Sequence, residues 1–414
     1  MPMSAPVPKR IVFVENGIGY GGAIICLRHL VRNLDTTEFS AMVVTGRDGP
    51  SYREIADETL WRHIQDRRFD IVGWRQRISD IEAIQNHPVL RVLCNQLLAR
   101  ADDIANFLPF FLALLSQAWR FKADLIHANN EPLCNRAALL VAKALNIPAV
   151  CHVRGDQQGS RSMRWAYSLP DHFVSVSHWV AASMRDKLKI PAEKISVIYD
   201  GIALDQLDTH ADGAIFRHQY GIQSDQFVVG LIGLLIPWKG QHLFLDAAKR
   251  LQSRIPNLKM LIVGGTPDDC KGYEADLVSR VADEGLNATV SFTGHINKME
   301  TVYNGLDVIV SASTSPEPLG TVVIEALAMG RPLIGPAHGG AAEMIEHEKT
   351  GLLFRPGDAE SLAEQIYRVY SDRQLGIRLG EQARTSALQR FSIRSHVTQV
   401  ETVYRRLLAP RKQR

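Results

Sequence analysis

Cysteines and metal-binding motifs are scarce in this sequence. The cysteines are odd in number, and no two of them form a C-x-x-C spacing: Cys26, Cys94, Cys134, Cys151 and Cys270. This pattern is typical of reduced cytosolic thiols rather than of a disulfide framework or a zinc site. Neither H-E-x-x-H nor D-x-D occurs, so we expect no bound metal and no cofactor.

Long hydrophobic runs and net charge are also scarce. The longest apolar stretch, residues 107–115, contains Pro109 and is far shorter than the ~20 residues that a membrane span needs. Residues 1–8 contain no apolar core, so we expect no signal peptide there. A net charge of +3 is too small to indicate a nucleic-acid partner. The sequence therefore predicts a cytoplasmic protein that binds no nucleic acid.

The chain is rich in alternating strand-like and helix-like runs. Its 414 residues, 46% of them hydrophobic, suffice for about two domains with separate cores. In both halves the alternation predicts a parallel sheet with helices on both faces. Strands are predicted at residues 11–15, 41–45, 124–127, 149–153, 172–175, 195–199, 227–233, 259–263, 289–292, 308–312, 332–335 and 351–354. Helices are predicted at residues 23–34, 136–145, 180–187, 241–255, 274–284, 321–329, 359–371 and 393–408.

The predicted fold class is α/β, with two Rossmann-like, doubly wound parallel-sheet domains. A polar stretch near residues 205–224 has little periodicity and marks the boundary. We assign residues 1–204 to the N-terminal domain, 205–392 to the C-terminal domain and 393–414 to a final helix. Two such domains leave a cleft at the carboxyl ends of their strands, where ligands bind.

Residues 52–122 are the irregular part of the N-terminal domain. They combine tryptophans with interleaved arginines, among them Trp61, Trp74, Trp119, Arg62, Arg67, Arg68, Arg75, Arg77, Arg91 and Arg100. One interpretation is a surface helix or loop that rests on anionic lipid. The other is a set of ordinary helices whose arginines face water and whose aromatic side chains face the core.

The most informative segment is S-P-E-P-L-G-T-V-V-I-E-A-L-A-M-G, residues 315–330. It connects a strand-like run to a helix-like run, so Glu317 lies in the loop and Glu325 about one turn into the helix. Gly320 and Thr321 present backbone N–H groups at the helix N-terminus, where an anion is well held. Carboxylates accept hydrogen bonds from hydroxyls, so the combination favours a nucleotide-sugar ligand. The alternative is that both glutamates are only helix-start residues favoured by the helix dipole.

This segment resembles the E-x7-E motif of retaining glycosyltransferases of family 4, which have the GT-B fold of two facing Rossmann-like domains. The resemblance implies that Glu317 contacts the donor sugar and Glu325 the ribose. Further donor-binding positions in the segment are Pro318, Leu319, Gly320 and Thr321. The resemblance also implies a nucleotide-sugar-binding C-terminal domain, an acceptor-side N-terminal domain and a last helix that crosses back to the N-terminal domain.

Residues 233–240, G-L-L-I-P-W-K-G, resemble the family's G-R-L…K-G motif, in which an arginine and a lysine neutralise the diphosphate. Lys239 matches the lysine, whereas Leu234 occupies the arginine position. One cation fewer weakens stabilisation of the departing diphosphate. Either another basic residue, such as Arg154 or Arg161, compensates, or the chain is a weakly active or non-catalytic relative.

Glycines follow Asn16 at the end of the first predicted strand. Gly17, Gly19 and Gly22 fit the G-x-G-x-x-G of dinucleotide-binding proteins. The second predicted strand, however, leads into Val44-Thr45-Gly46-Arg47 without the acidic residue that this fingerprint needs. The resemblance to family 4 implies a different role, in which the loop at Gly21 and Gly22 approaches the donor phosphate.

The resemblance singles out further positions. His152 matches the histidine that the family places near the donor sugar and the β-phosphate; the alternative is a histidine that caps a strand. Arg154, Arg161 and Asn16 are candidates for a phosphate or acceptor contact. Gly294 resembles a position where the backbone meets the base. The G-G-x-x-E pattern is interpreted as a tight turn and a helix start, at Gly339, Gly340 and Glu343.

The predicted activity is transfer of a hexose from a nucleoside-diphosphate sugar to an acceptor hydroxyl with retention of configuration. His152, Glu317 and Lys239 are the candidate catalytic residues. The resemblance implies that neither a metal nor a protein nucleophile is required. The segment 52–122 suggests a lipid-linked or polysaccharide acceptor of envelope or exopolysaccharide synthesis at the inner face of a membrane. A nucleotide-sugar epimerase of the same fold is the alternative, and it would need no acceptor.

Overall fold

The computed structural model describes residues 7–16, 22–81, 84, 86–156, 159–204 and 207–410. They form two compact units, each built around its own parallel sheet. The first unit contains the described residues of Met1–Val176, Val180–Ile198 and His396–Arg414. The second contains those of Ser177–Trp179 and Tyr199–Ser395.

The sheet of the first unit has seven parallel strands in the order β3-β2-β1-β4-β5-β6-β7. The strands are β1 Lys9–Glu15, β2 Phe39–Thr45, β3 Leu60–His63, β4 Leu125–Asn129, β5 Ala149–Val153, β6 His172–Ser175 and β7 Ile195–Val197. Strands β4 and β5 are buried along their whole length, as expected for strands that are covered on both faces. The helices are Gly22–Arg32, Pro50–Arg53, Ile71–Ser79, Pro88–Asp102, Asp103–Phe107, Leu108–Phe121, Arg136–Leu145, Arg161–Ala166 and His178–Leu188, of which Asp103–Phe107 is a π-helix.

The sheet of the second unit has six parallel strands in the order β10-β9-β8-β11-β12-β13. The strands are β8 Phe227–Ile232, β9 Leu258–Val263, β10 Val290–Gly294, β11 Val308–Val310, β12 Leu333–Pro336 and β13 Leu352–Phe354. The helices are Gly213–Gln219, Gln241–Leu251, Lys271–Asp283, Met299–Gly305, Thr321–Ala328, Gly339–Met344, Ala359–Ser371, Arg373–Arg390 and the last helix, Ile393–Leu408. In each sheet the strand order reverses next to the first strand, and ligands bind such sheets at the carboxyl ends of the strands near this point.

The predicted α/β class with two doubly wound parallel sheets is confirmed. The segment 52–122 agrees only in part with the interpretation of ordinary helices packed on the sheet, and its contact with lipid stays a prediction. It is largely helical, yet Trp74 and Trp119 are exposed rather than directed into a core. Strand β3, which was not predicted, also lies in this segment and has mostly exposed side chains.

The last helix packs on the first unit from His396 onwards. The buried hydroxyl of Tyr404 lies 2.6 Å from Nδ1 of His127 on β4. The carboxylate of Glu401 accepts a 2.8 Å hydrogen bond from the backbone N–H of Asp35. These contacts attach the end of the chain to β4 and to the loop before β2.

None of the described helices combines the length and the apolar character that crossing a membrane requires.

Candidate active site

A lysine, a glutamate and a serine meet at the carboxyl edge of the second sheet. Nζ of Lys239 lies 2.8 Å from Oε2 of Glu317, and Oγ of Ser313 donates to Oε1 of the same carboxylate. The side chains of Lys239 and Glu317 are only 20% and 12% exposed. The ammonium also lies 4.6 Å from the ring centroid of Trp238. We call Lys239, Glu317 and Ser313 the carboxylate cluster.

Gly240 brings the lysine loop against the loop that follows β11. Its φ of 77° lies in the left-handed region, and a Cβ atom there would be 2.0 Å from the carbonyl oxygen of Ala312. The backbone N–H of Thr314 donates a 2.9 Å hydrogen bond to the carbonyl of Trp238. Only glycine permits both this approach and this conformation, so the position of Lys239 depends on Gly240.

Replacing Gly240 with alanine is expected to destabilise the second unit by about 3 kcal/mol, because strain and a backbone clash add. The measurement is the unfolding midpoint in urea. The matched control is Gly221→Ala, since Gly221 has a φ of 64° but nothing within 4 Å of an added Cβ. That variant should lose only about 1 kcal/mol. Equal losses in the two variants would show that the approach to Ala312 is not tight.

The two glycines of the G-G-x-x-E pattern pack against the backbone of Glu317. The backbone N–H of Gly340 donates a 2.7 Å hydrogen bond to the carbonyl of Glu317. Gly339 has a φ of 59°, and a Cβ atom there would lie 2.8 Å from the backbone nitrogen of Glu317. Nε2 of His338 lies 2.9 Å from the carbonyl oxygen of Ser313. The carboxylate of Glu343 instead accepts hydrogen bonds from the backbone N–H groups of His178 and Trp179.

Glu325 lies on the helix Thr321–Ala328, which begins directly after Gly320. The phenol of Tyr303 donates a 2.5 Å hydrogen bond to its Oε2. Burial raises the pKa of the Glu325 carboxyl, and the bond from Tyr303 opposes this rise. Burial and the neighbouring carboxylate raise the pKa of the Tyr303 phenol well above its usual value. Tyr303 thus remains a hydrogen-bond donor that holds Glu325 in place.

The loops after β8, β9 and β10 converge near Gly264. A Cβ atom on Gly264 would lie 1.9 Å from the carbonyl oxygen of Gly233, and its N–H donates to the carbonyl of Gly294 at 3.1 Å. Gly294 itself has a φ of 69° and open space around its Cα. Leu234, in this group of loops, has a side chain that is 51% exposed. The position at which the resemblance expects an arginine therefore carries an exposed apolar side chain.

His152 lies in a buried group of rings in the first unit. Its ring is fully buried between those of His127 and His396, whose centroids lie 5.6 Å and 5.9 Å away. Burial and the nearby Arg154 hold the pKa of His152 well below its ordinary value. A guanidinium nitrogen of Arg154 lies 3.4 Å from Nδ1 of His152 and 3.3 Å from Oδ1 of Asn129. His152 is therefore neutral in this structure.

The other first-unit candidates are more scattered. Asn16 follows β1, and its Oδ1 is buried with no hydrogen bond to the described residues. Arg161 is exposed at the start of the helix Arg161–Ala166, and Gly22 begins the helix Gly22–Arg32. Gly21 lies outside the described residues. Among the residues that the structure does describe, no three His, Cys, Asp or Glu side chains form a metal-binding group.

Two family models match adjacent parts of this chain. The model of glycosyl transferases group 1 matches residues 213–386, and the model of glycosyltransferase family 4 matches residues 20–206. The chain belongs to glycosyltransferase family 4. The carboxylate cluster and Glu325 of this family 4 enzyme lie in the group 1 region, and His152 and Arg154 lie in the other.

Known relatives of this family 4 enzyme are distant in sequence. The N-acetyl-alpha-D-glucosaminyl L-malate synthase of Bacillus anthracis is 25% identical over 316 residues, which cover 73% of this chain and 81% of that protein. The capsular polysaccharide biosynthesis glycosyltransferase CapM of Staphylococcus aureus is 28% identical over 185 residues, 45% of this chain and 47% of CapM. A crystal structure of Anabaena Alr3699/HepE in complex with UDP superposes with a TM-score of 0.78 at 22% identity, covering 95% of this chain and 99% of that one. The last similarity shows a shared GT-B fold.

Several residues of the site were not predicted from the sequence. Ser313, Tyr303 and His338 each contact a predicted residue or its loop. Ser313 could have been predicted, because it lies four residues before Glu317 in the same loop. In the first unit, the buried carboxylate of Glu15 accepts hydrogen bonds from Asn129 and Asn130, and no motif signals this group.

Proposed function

We propose that this enzyme transfers a hexose from a nucleoside-diphosphate sugar to an acceptor hydroxyl and retains the anomeric configuration. The observation that carries the proposal is the carboxylate cluster beside the start of the helix Thr321–Ala328. A cation, a carboxylate and helix N–H groups at one sheet edge are the groups that a diphosphate and a sugar require together. The proposed reaction needs no metal and no protein nucleophile.

Lys239 and the N-terminal amides of the helix are proposed to bind the diphosphate. Lys239 is held by Glu317 and lies over the face of Trp238, so its position is fixed before a ligand arrives. Such preorganised charge stabilises the negative charge that develops on the leaving diphosphate. Gly320 and Thr321 would add backbone N–H donors. Leu234 contributes no charge, and Arg154 and Arg161 are the candidate replacements for the missing cation.

The two carboxylates are proposed to bind hydroxyls of the donor. Glu317 would accept hydrogen bonds from the sugar, and Glu325 from the ribose, with Pro318 and Leu319 as the wall between them. The bond from Tyr303 to Oε2 of Glu325 supports this, because it orients the carboxylate. His152 is proposed to lie near the sugar and the β-phosphate, and its neutral ring supports a role as a hydrogen-bond donor.

The donor-side glycines and the remaining first-unit candidates complete the proposed site. Gly294 would bring its backbone near the base, and Gly21 and Gly22 would approach the phosphate. Asn16 is proposed as a phosphate or acceptor contact. The buried Oδ1 of Asn16 supports this, because a ligand hydroxyl would satisfy it.

The acceptor is proposed to be a glycan or a lipid-linked glycan of envelope or exopolysaccharide synthesis. The name of the relative CapM supports a polysaccharide product, and the UDP bound by HepE supports a nucleoside-diphosphate donor. A lipid-linked acceptor would place the enzyme at the anionic inner face of a membrane.

The donor is tested with a panel of nucleoside-diphosphate sugars in a thermal-shift assay, since a bound ligand raises the melting temperature by mass action. We expect one base and sugar to stand out. Product analysis with that donor, with and without an acceptor, then separates transfer from epimerisation, which needs no acceptor. If no nucleoside-diphosphate sugar of the panel is bound or consumed, the proposed function is refuted.

Replacing Glu325 with alanine is expected to weaken donor binding about tenfold or more, because a hydrogen bond to a charged group is lost. Isothermal titration calorimetry measures the dissociation constant. The control is Glu274→Ala, since Glu274 lies near the start of another helix of the second unit, Lys271–Asp283. If both variants lose stability and neither changes the dissociation constant, Glu325 is only a helix-start residue.

A further inference from the structure

Residues 88–121 form one long helix on the first unit. The helices Pro88–Asp102 and Leu108–Phe121 are joined by the π-helix Asp103–Phe107 without a break, because the residues at both joints have right-handed helical backbone angles. At a rise of 1.5 Å per residue the whole element is about 50 Å long. We call it the 88–121 helix.

One side of the 88–121 helix is anchored to the first unit. Phe110, Leu114 and Ala118 are buried. A guanidinium nitrogen of Arg136 lies 3.0 Å from the carboxylate of Asp103, and Asn106 donates to the carbonyl of Phe69 at 2.9 Å. All of these contacts lie in the second half of the helix. The first half, Pro88–Asp102, has no buried side chain.

The opposite side carries large exposed apolar side chains. Val89 is 74% exposed, Leu97 is 70% exposed, and Ile104 and Trp119 are each 69% exposed. We call the whole set the docking face; its members are Val89, Leu93, Leu97, Ile104, Leu108, Leu112 and Trp119. Soluble proteins rarely expose so many large apolar side chains together unless the surface binds something.

The π-helix keeps the docking face on one side. Steps of four residues, as from Val89 to Leu93 to Leu97, drift by about 40° around a helix of 3.6 residues per turn. The wider π-helical turn takes up about one extra residue, or about 100° of rotation. This offset brings Leu108 and Leu112 back to the side of Val89 and Leu93.

The neighbouring segment extends the apolar surface and adds charge. Phe69, Val72 and Trp74 are exposed, and the guanidinium of Arg77 lies 5.9 Å from the ring centroid of Trp74. The exposed arginines along these helices are Arg75, Arg77, Arg91, Arg100 and Arg120. Of these, only Arg100 forms an ion pair with a described residue, Asp103 at 3.1 Å.

We propose that the docking face lies on the surface of an anionic lipid bilayer, with its apolar side chains in the headgroup region and the arginines on lipid phosphates. Exposed apolar side chains flanked by arginines are the features of an interfacial helix. A second copy of the chain would bring like charges together, so the charge favours lipid. The inference rests on the proposed function insofar as a lipid-linked acceptor gives it a purpose.

The test is co-sedimentation of the full chain with vesicles of phosphatidylglycerol and phosphatidylcholine, and with vesicles of phosphatidylcholine alone. We expect binding to the anionic vesicles that decreases with added salt. Leu93→Glu/Leu97→Glu and Arg91→Glu/Arg120→Glu should each lower the partition coefficient about tenfold or more. Val278→Glu is the matched control, because Val278 is 50% exposed on the second unit. It should bind as the wild type does.

Equal binding by the wild type and the docking-face variants would overturn the inference. So would a dimer, detected by light scattering, that Leu93→Glu/Leu97→Glu dissociates, since the face would then bind a second copy. Co-sedimentation needs no donor, and donor binding of Leu93→Glu/Leu97→Glu should equal that of the wild type in calorimetry. A failure of membrane binding is thus distinguishable from a failure of the proposed function.

Discussion

Replacing Glu317 with glutamine should lower kcat/KM for sugar transfer by about 100-fold or more. The substitution preserves the shape of the side chain but removes the charge that pairs with Lys239 at 2.8 Å. It also changes the group to which Ser313 donates. Losing one preorganised charge contact in a site of this kind typically costs about 10²–10³ in rate. The measurement is initial-rate kinetics with the donor identified by thermal shift.

The double variant separates a catalytic effect from a structural one. Glu317→Gln and Lys239→Met act on one ion pair, so their effects on rate should be far from additive. Breaking this partly buried ion pair also costs stability, because the remaining charge is partly desolvated without its partner. The melting temperature of each variant is therefore measured as well. If Glu317→Gln alone keeps kcat/KM within threefold of the wild-type value, the proposed role of Glu317 is refuted.

The sheets could be predicted from the sequence because parallel strands covered on both faces are continuous apolar runs. The run at residues 11–14 and the run at 149–153 are examples, and both are fully buried strands. Strand β3 escaped prediction because its side chains are mostly exposed and its four residues give no clear pattern. An edge strand of this kind can be identified only from its pairing with β2 in the structure.

The 88–121 helix could not be predicted for a different reason. Its exposed apolar side chains blur the usual pattern of one apolar and one polar side. Pro109 also marks a break by ordinary rules, since proline lacks an N–H and disrupts a helix interior. In the structure Pro109 is the second residue after the π-helix, near the start of the segment Leu108–Phe121. The altered hydrogen bonding of the π-helix accommodates it there.

Only those residues of the candidate site that lie close together in the sequence could be predicted as a group. Glu317, Gly320 and Glu325 belong to one motif, and the sequence spacing alone places them together. The pairing of Lys239 with Glu317 spans 78 positions, and the resemblance indicated both residues but not their contact. Tyr303 lies on a helix that has no motif, and its contact with Glu325 depends on how that helix packs. Such partners follow from tertiary packing and leave no local signal.

The first unit should unfold in acid at a higher pH than protonation of its carboxylates alone would cause. Burial holds the pKa of His127 at about 3 and that of His152 well below its usual value. The unfolded chain binds protons at these histidines near pH 6.5, and the folded chain does not. Their contribution to stability is therefore complete above pH 6.5 and is lost as the pH falls towards the folded pKa values. His127 alone reduces stability by about 1.4 kcal/mol per pH unit below pH 6.5, or about 3 kcal/mol by pH 4.5, and His152 acts in the same direction.

The measurement is the urea midpoint of the first unit between pH 7.5 and 4.5, followed by hydrogen exchange of the amides of β4 and β5. His127→Gln is the informative variant, because glutamine does not titrate and should reduce the pH slope by about 1.4 kcal/mol per unit. Its stability at pH 7.5 is uninformative by itself, since the substitution also alters the contact with Tyr404. His295→Gln is the control, because His295 is exposed in the second unit. A slope that His127→Gln leaves unchanged would mean that His127 is protonated in the folded chain or reaches solvent before the unit unfolds.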